Sequence, residues 1–122
     1  MLSKEILEIL EELMKMDDVL ACMVAQRGLQ GIVPKTIKLK DTSLWIQLHQ
    51  TTNIIFEFIN KFYDYKLERV NLEFGKYSIL IAPINKGVSL IVVAPSLANV
   101  GLLDVEIENA GRRIVSIGKN KS

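Results

Sequence analysis

The sequence contains a single cysteine, a single histidine and three prolines in 122 residues, and it carries almost no surplus charge. One cysteine, Cys22, excludes an internal disulfide and a metal site made of several cysteines, and it indicates a reducing, cytoplasmic compartment. The formal net charge of +1 argues against a nucleic-acid partner, because proteins that grip a phosphate backbone usually carry a basic excess.

Long apolar runs are also missing. None approaches the roughly 20 residues that cross a bilayer, so we expect no membrane span, and residues 1–18 lack the continuous apolar stretch of a signal peptide. Apolar residues still make up 49% of the chain, which at this length is enough for one buried core but not for two. We predict one domain over residues 1–118 and a frayed tail over residues 119–122.

Hydrophobic periodicity predicts the element order α-β-β-α-β-β-β-α. The predicted helices cover residues 3–16, 42–65 and 99–117, and the predicted strands cover 19–26, 31–39, 67–74, 77–84 and 88–94. Hairpin-like connections make the sheet antiparallel. The three continuously apolar strands belong at its centre, and the alternating strands 31–39 and 67–74 belong at its edges. The fold class is therefore α+β, with three helices covering both faces of a five-stranded antiparallel sheet.

Two features of the second predicted strand indicate an edge. Pro34 has no N–H to donate to a sheet ladder, so it is tolerated at an edge or a bulge. Lys35, Lys38 and Lys40 follow it, and lysines on an edge strand oppose unwanted pairing with another chain. We predict that these lysines protect the sheet edge.

The predicted second helix has more apolar surface than one sheet face needs. At about 100° per residue, five side chains cluster on one side and predict the buried face: Leu44, Leu48, Ile55, Ile59 and Phe62. Ile46 and Ile54 fall instead among polar residues. We infer that this helix contacts a second surface.

The sequence offers no catalytic constellation. The stretch GLQGIVPKT (28–36) looks like a phosphate-binding loop, but Leu29 and Pro34 stand where that loop has glycines, and proline has no N–H for a phosphate. A hairpin turn is predicted there. His49 lacks partners at metal-site or triad spacing, and Cys22 lies in an apolar run that does not stabilise a thiolate. We expect no metal, no cofactor and no enzyme activity.

Three stretches resemble the Roadblock (dynein light-chain) family. DDVLACMVAQRGLQG (17–31) is similar to the family's first strand and Gly-Leu turn, and GKYSILIAPINKGVSLIVVAP (75–95) is similar to its hairpin and final strand. ANVGLLDVEI (98–107) resembles the start of its last helix. The resemblance implies a profilin-like three-layer α/β/α sandwich, with helix 2 on one sheet face and helices 1 and 3 on the other.

The resemblance also implies a function. Members of the family are homodimers, joined through helix 2 and the third strand, that act as scaffolds and regulators of small Ras-like GTPases. We therefore expect a non-enzymatic homodimer that binds such a GTPase and modulates its activity or localisation. The residues expected at the dimer or partner interface are Trp45, Ile46, His49, Asn53, Phe56, Asn60, Asn71 and Glu73. A profilin-like domain that senses a small molecule in a pocket between sheet and helix is the alternative, and an enzyme with an unrecognised site is a third possibility.

Overall fold

The computed structural model describes residues 2–120, with side chains from residue 3 to residue 118, and contains three α-helices and a five-stranded antiparallel sheet. The helices are α1 (Leu2–Leu13), α2 (Thr42–Phe62) and α3 (Val100–Asn120), and a 3₁₀ turn (Tyr63–Tyr65) follows α2. The strands are β1 (Ala21–Gln26), β2 (Leu29–Ile32), β3 (Val70–Phe74), β4 (Tyr77–Asn85) and β5 (Val88–Pro95). The predicted fold class and element order are confirmed.

Side-chain caps explain where two of the helices begin. The Asp41 carboxylate accepts a hydrogen bond from the Leu44 N–H at 3.0 Å, and the Asn99 side-chain oxygen accepts one from the Leu102 N–H at 3.1 Å. Each cap satisfies an N–H that the first helical turn leaves unpaired. The predicted end of the last helix is wrong, because α3 continues through Gly118 to Asn120. Residues 121–122 lie outside the described part of the chain, so the frayed tail stays a prediction.

The strands lie in the order β2-β1-β5-β4-β3. The three continuously apolar strands are central and the second and third strands are at the edges, as predicted. The β1–β2 connection is the predicted turn, and Gly28 adopts a φ of 73° there, a left-handed conformation that glycine adopts without steric cost.

The stretch after β2 differs from the prediction. The second strand ends at Ile32, and residues 33–41 form no strand. Pro34 is buried, and the backbone N–H groups of Lys38 and Leu39 both donate to the Leu20 carbonyl. The Lys38 ammonium donates to the Met16 carbonyl at 2.7 Å. Since proline cannot continue the ladder, the chain leaves the sheet here, and the lysines that follow do not protect its edge.

The sheet separates two hydrophobic cores. Alternate residues of a strand point to opposite faces, so Leu80 and Val92 lie on the face covered by α1 and α3, whereas Ile79 and Val93 lie on the face covered by α2. The buried side chains of α1 and α3 are Ile6, Ile9, Leu10, Leu13, Leu103, Ile107, Ala110 and Ile114, and those of α2 are Leu48, Ile55, Phe56 and Ile59. The predicted three-layer arrangement is confirmed.

Candidate functional site

One side of α2 and the neighbouring edge strand expose large apolar side chains. We define the α2–β3 surface as Ile54, Phe58 and Phe62 on α2 with Leu72 and Phe74 on β3, whose exposed fractions lie between 37% and 65%. Scattered apolar residues are normal on a protein surface, but a group of five indicates an interaction surface.

The helical part of this surface follows from its spacing. Ile54, Phe58 and Phe62 are each four residues apart, so they lie above one another on one side of α2. The rings of Phe58 and Phe62 have centroids 5.0 Å apart, and Phe62 lies 6.4 Å from the ring of Tyr65. These distances are those of favourable aromatic pairs. The aromatic side chains therefore form a continuous row along this side of α2 and into the 3₁₀ turn.

The strand part of the surface lies on the same sheet face as α2. Leu72 pairs with Ile79 and Phe74 pairs with Tyr77 in the β3–β4 register, and Ile79 and Tyr77 belong to the core beneath α2. Because β3 is an edge strand, its outer backbone N–H and C=O groups can pair with another chain. An apolar face and a free strand edge therefore occur together.

Three of the residues predicted for the interface lie on the other side of α2. The rings of Trp45 and His49 meet edge to face with centroids 4.6 Å apart. The Asn60 amide nitrogen donates to the Lys86 carbonyl at 3.1 Å when the amide is oriented by its hydrogen bonds, and its oxygen then accepts from Arg27. Lys86 and Arg27 lie in the turns at one end of the sheet. All three side chains are partly buried against the protomer itself.

His49 is the titratable group on that side. Its Nε2 is buried and has no hydrogen-bond partner among the described residues. Burial lowers the pKa of His49, because the charged imidazolium would lose hydration there. This shift favours the neutral form of the ring, which packs against Trp45.

Phe56 is predicted at the interface, but the structure places it elsewhere. Its side chain is only 1% exposed and lies in the core between α2 and the sheet, so it does not reach a partner in this conformation. Ile46 and Asn53 are exposed on α2. Asn71 and Glu73 are also exposed, but they pair with Leu80 and Ser78 and therefore lie on the α1/α3 face of the sheet. The eight predicted residues do not form one surface.

Most of the α2–β3 surface does not follow from the sequence pattern. The helical spacing predicts that Phe62 is buried, but its side chain is 44% exposed. The exposure of Ile54 is predictable from the sequence, because an isoleucine among polar residues on the outer side of a helix is unusual. Leu72 and Phe74 lie on the apolar side of an alternating strand, which predicts burial, but their side chains are 37% and 47% exposed.

Metal ligands and the single cysteine are two further features of the described residues. No group of three or more His, Cys, Asp or Glu side chains there is arranged to hold a metal ion. The Cys22 thiol donates to the Leu10 carbonyl at 3.5 Å, and burial raises the pKa of the thiol to about 12, so it is not a thiolate at neutral pH. Within residues 2–120, no helix is both long enough and apolar enough to cross a bilayer.

Comparisons with known proteins support the fold. The sequence matches no protein-family model and no curated protein. Several solved structures are similar, and three of them are described here. MglB from Myxococcus xanthus has a TM-score of 0.74 and 17% identity, covering 97% of this chain and 90% of that one. MglB in a tetrameric arrangement has a TM-score of 0.66 and 12% identity, with 98% and 91% covered. A Roadblock/LC7 domain from Streptomyces avermitilis has a TM-score of 0.65 and 12% identity, with 88% and 92% covered. The chain has the Roadblock/LC7 fold.

Proposed function

We propose that this protein is a non-enzymatic homodimeric regulator or scaffold that binds a small Ras-like GTPase and modulates its activity or localisation. The observation that carries the proposal is the α2–β3 surface, where exposed apolar side chains adjoin an unpaired strand edge. That surface lies on the two elements through which Roadblock proteins, which the sequence resembles, form homodimers.

Self-association accounts for both parts of the surface at once. In a twofold dimer the same patch contacts itself, so β3 would lie antiparallel to its copy and the two sheets would become one. Phe58 and Phe62 would then pack against the partner's α2, which buries apolar rings that the protomer leaves about half exposed. MglB, one of the proteins with this fold, has been found in a tetrameric arrangement, which supports the expectation of an oligomer.

The GTPase part of the proposal rests on the Roadblock resemblance and on the likeness of the fold to MglB. This sequence has Leu29 and Pro34 where a phosphate loop needs glycine. Nucleotide chemistry would therefore belong to the partner, and this dimer would act by contact with it.

A binding assay tests the proposal. Each small Ras-like GTPase encoded in the same genome is loaded with GDP or with a non-hydrolysable GTP analogue and titrated with the wild-type protein. We expect saturable binding of at least one GTPase that differs between the two nucleotide states, together with a change in its hydrolysis rate, its exchange rate or its localisation. Absence of binding to all of them in both states would contradict the regulatory function.

A further inference from the structure

The outer backbone groups of edge strand β3 can be assigned to particular residues. A two-residue turn joins Phe74 to Tyr77, and these two residues pair where the β3–β4 ladder begins. Residues that flank such a turn exchange backbone hydrogen bonds with each other. Because hydrogen-bonded and non-hydrogen-bonded pairs alternate along an antiparallel ladder, Phe74, Leu72 and Val70 direct their N–H and C=O groups toward β4.

Strand β5 provides an independent check of this alternation. Tyr77 pairs with Pro95 on its β5 side, and proline has no N–H to donate to a ladder. The Ser96 N–H donates instead to the Lys76 carbonyl at 2.9 Å, which is the pattern around a non-hydrogen-bonded pair. Tyr77 therefore directs its backbone groups to β3, in agreement with the turn.

Asn71 and Glu73 consequently hold the outward N–H and C=O groups of β3. Their side chains lie on the α1/α3 face of the sheet, whereas those of Val70, Leu72 and Phe74 lie on the α2 face. In an antiparallel pairing of β3 with a second copy, the twofold axis places one residue opposite itself. The choice of that residue determines every other pair across the seam between the two strands.

The length of β3 favours Leu72 on the twofold axis. The strand has five residues, and with Leu72 opposite itself all five pair with the strand of the second copy. With Asn71 or Glu73 on the axis, only three of the five pair strand to strand, and the other two face residues that form no strand. Backbone hydrogen bonding along the edge is therefore most complete with Leu72 on the axis.

The side chains favour the same register. With Leu72 on the axis, each Asn71 lies opposite the partner's Glu73 on the α1/α3 face, and apolar side chains meet only apolar ones on the α2 face. The amide can donate to the carboxylate, and apolar cross-strand pairs stabilise a sheet. With Glu73 on the axis, two exposed carboxylates would lie directly opposite each other, which is destabilising.

The register with Asn71 on the axis has one attractive contact, because Glu73 would face the partner's Arg69. In each protomer, however, Arg69 already pairs with Asp104 at 3.5 Å. The same register sets the half-exposed ring of Phe74 opposite the partner's Glu68, and covering a carboxylate with an apolar ring costs hydration. This register therefore satisfies β3 less well than the one with Leu72 on the axis.

We propose that β3 pairs with β3 of a second copy of this chain with Leu72 on the twofold axis, so that each Asn71 faces the partner's Glu73. The inference rests on the proposed homodimer and adds the residues that meet across it. Asn71 and Glu73 contact the partner through their backbone groups and polar side chains, and Leu72 closes the α2 side of the seam.

Cysteine cross-linking tests this register. Each variant is made in Cys22→Ala, so that it has one cysteine per chain, and is oxidised with copper phenanthroline where light scattering gives a dimer. Leu72→Cys should cross-link fastest, because the Cα atoms of an opposed non-hydrogen-bonded pair lie about 4.5 Å apart, within disulfide range. Asn71→Cys and Glu73→Cys lie diagonal to their own copies, about 7–8 Å apart. Each alone should cross-link at least tenfold more slowly, whereas a mixture of the two should form the mixed dimer.

The outcomes separate the register from the dimer. A dimer that cross-links fastest through Asn71→Cys alone or Glu73→Cys alone overturns the register and leaves the proposed dimer standing. A dimer that none of the three cysteines cross-links overturns the β3 seam. A chain that is monomeric at every concentration contradicts the proposed homodimer, and this inference falls with it.

A charge substitution tests the same register without oxidation. In Asn71→Lys each introduced lysine should face the partner's Glu73, so sedimentation equilibrium should give a dimer Kd about three- to tenfold lower than that of the wild type. Asn71→Lys combined with Glu73→Gln is the matched control, in which the gain should disappear. A dimer that Asn71→Lys leaves unchanged or weakens overturns the proposal, since two lysines repel each other if Asn71 lies on the axis.

Discussion

The rings of Phe58 and Phe62 contact each other in a tilted arrangement one turn apart on α2, with centroids 5.0 Å apart, and each side chain remains almost half exposed. Phe56, two residues before Phe58, is 1% exposed beneath the same helix. The helix thus uses one side to close the protomer core and another to present aromatic rings. This division of α2 is the structural basis of the proposed dimer.

The edge strand offers the first prediction. Leu72→Lys places a charge on the apolar side of β3, where a second copy would have to desolvate it, so we expect the dimer to weaken at least tenfold. Leu29→Lys is the matched control, because Leu29 is exposed on β2 at the opposite edge of the sheet. Sedimentation equilibrium measures both. Equal association of the two variants would argue against the β3 edge.

The core beneath α2 gives the second prediction. Phe56→Ala should lower the free energy of unfolding of the protomer by about 3–5 kcal/mol, because it removes a fully buried ring and leaves a cavity. Phe58→Ala should cost far less at concentrations where the protein is monomeric. Urea denaturation followed by circular dichroism compares them. Similar losses for the two variants would contradict the assignment of Phe56 to the core.

Phe56 and Phe62 show how much of α2 could be predicted from the sequence. The spacing of apolar residues predicted the helix, its long apolar arc and a second contact surface. The spacing could not determine how the helix is rotated about its axis on the sheet, because Phe56 and Phe62 lie at opposite borders of the apolar arc. Packing turned α2 toward Phe56, which buried a residue expected at the interface and exposed one expected in the core.

The sheet was predictable for a different reason. Strands such as 77–84 and 88–94 are apolar on both faces and joined by a short turn, so local pattern alone places them side by side at the centre. The stretch 33–41 was not predictable in this way. Its alternating isoleucine, leucine and lysine residues have the period of a strand, but backbone pairing with Leu20 holds Lys38 and Leu39 outside the sheet.

Cys22 gives a prediction at alkaline pH. The pKa of its thiol is raised to about 12 by burial, from an ordinary value of about 9, so the unfolded chain releases this proton at lower pH than the folded one. Stability should therefore fall by about 1.4 kcal/mol per pH unit above roughly pH 9. Urea denaturation of Cys22→Ala, compared over the same range, isolates the effect. An equally steep fall in that variant would contradict this origin.

Burial of His49 leads to a prediction about stability at acidic pH. Burial lowers the pKa of His49, so the unfolded chain takes up a proton that the folded chain resists. Stability should decrease as the pH falls below about 6.5. His49→Gln keeps a polar side chain without titration and should lose less stability between about pH 7.5 and 5.5, as judged from urea midpoints. If both proteins lose the same amount, His49 is not the group responsible.

The most direct test of the proposed dimer is the solution mass of the wild type and of two charge-introducing variants, measured by light scattering at micromolar concentration. Phe58→Glu changes a half-exposed residue of the α2–β3 surface, and Leu102→Glu changes a similarly exposed residue of α3. We predict that the wild type and Leu102→Glu give twice the 13.8 kDa chain mass and that Phe58→Glu gives the single-chain mass. A monomeric wild type, or a Phe58→Glu variant that remains folded and dimeric, would contradict the account.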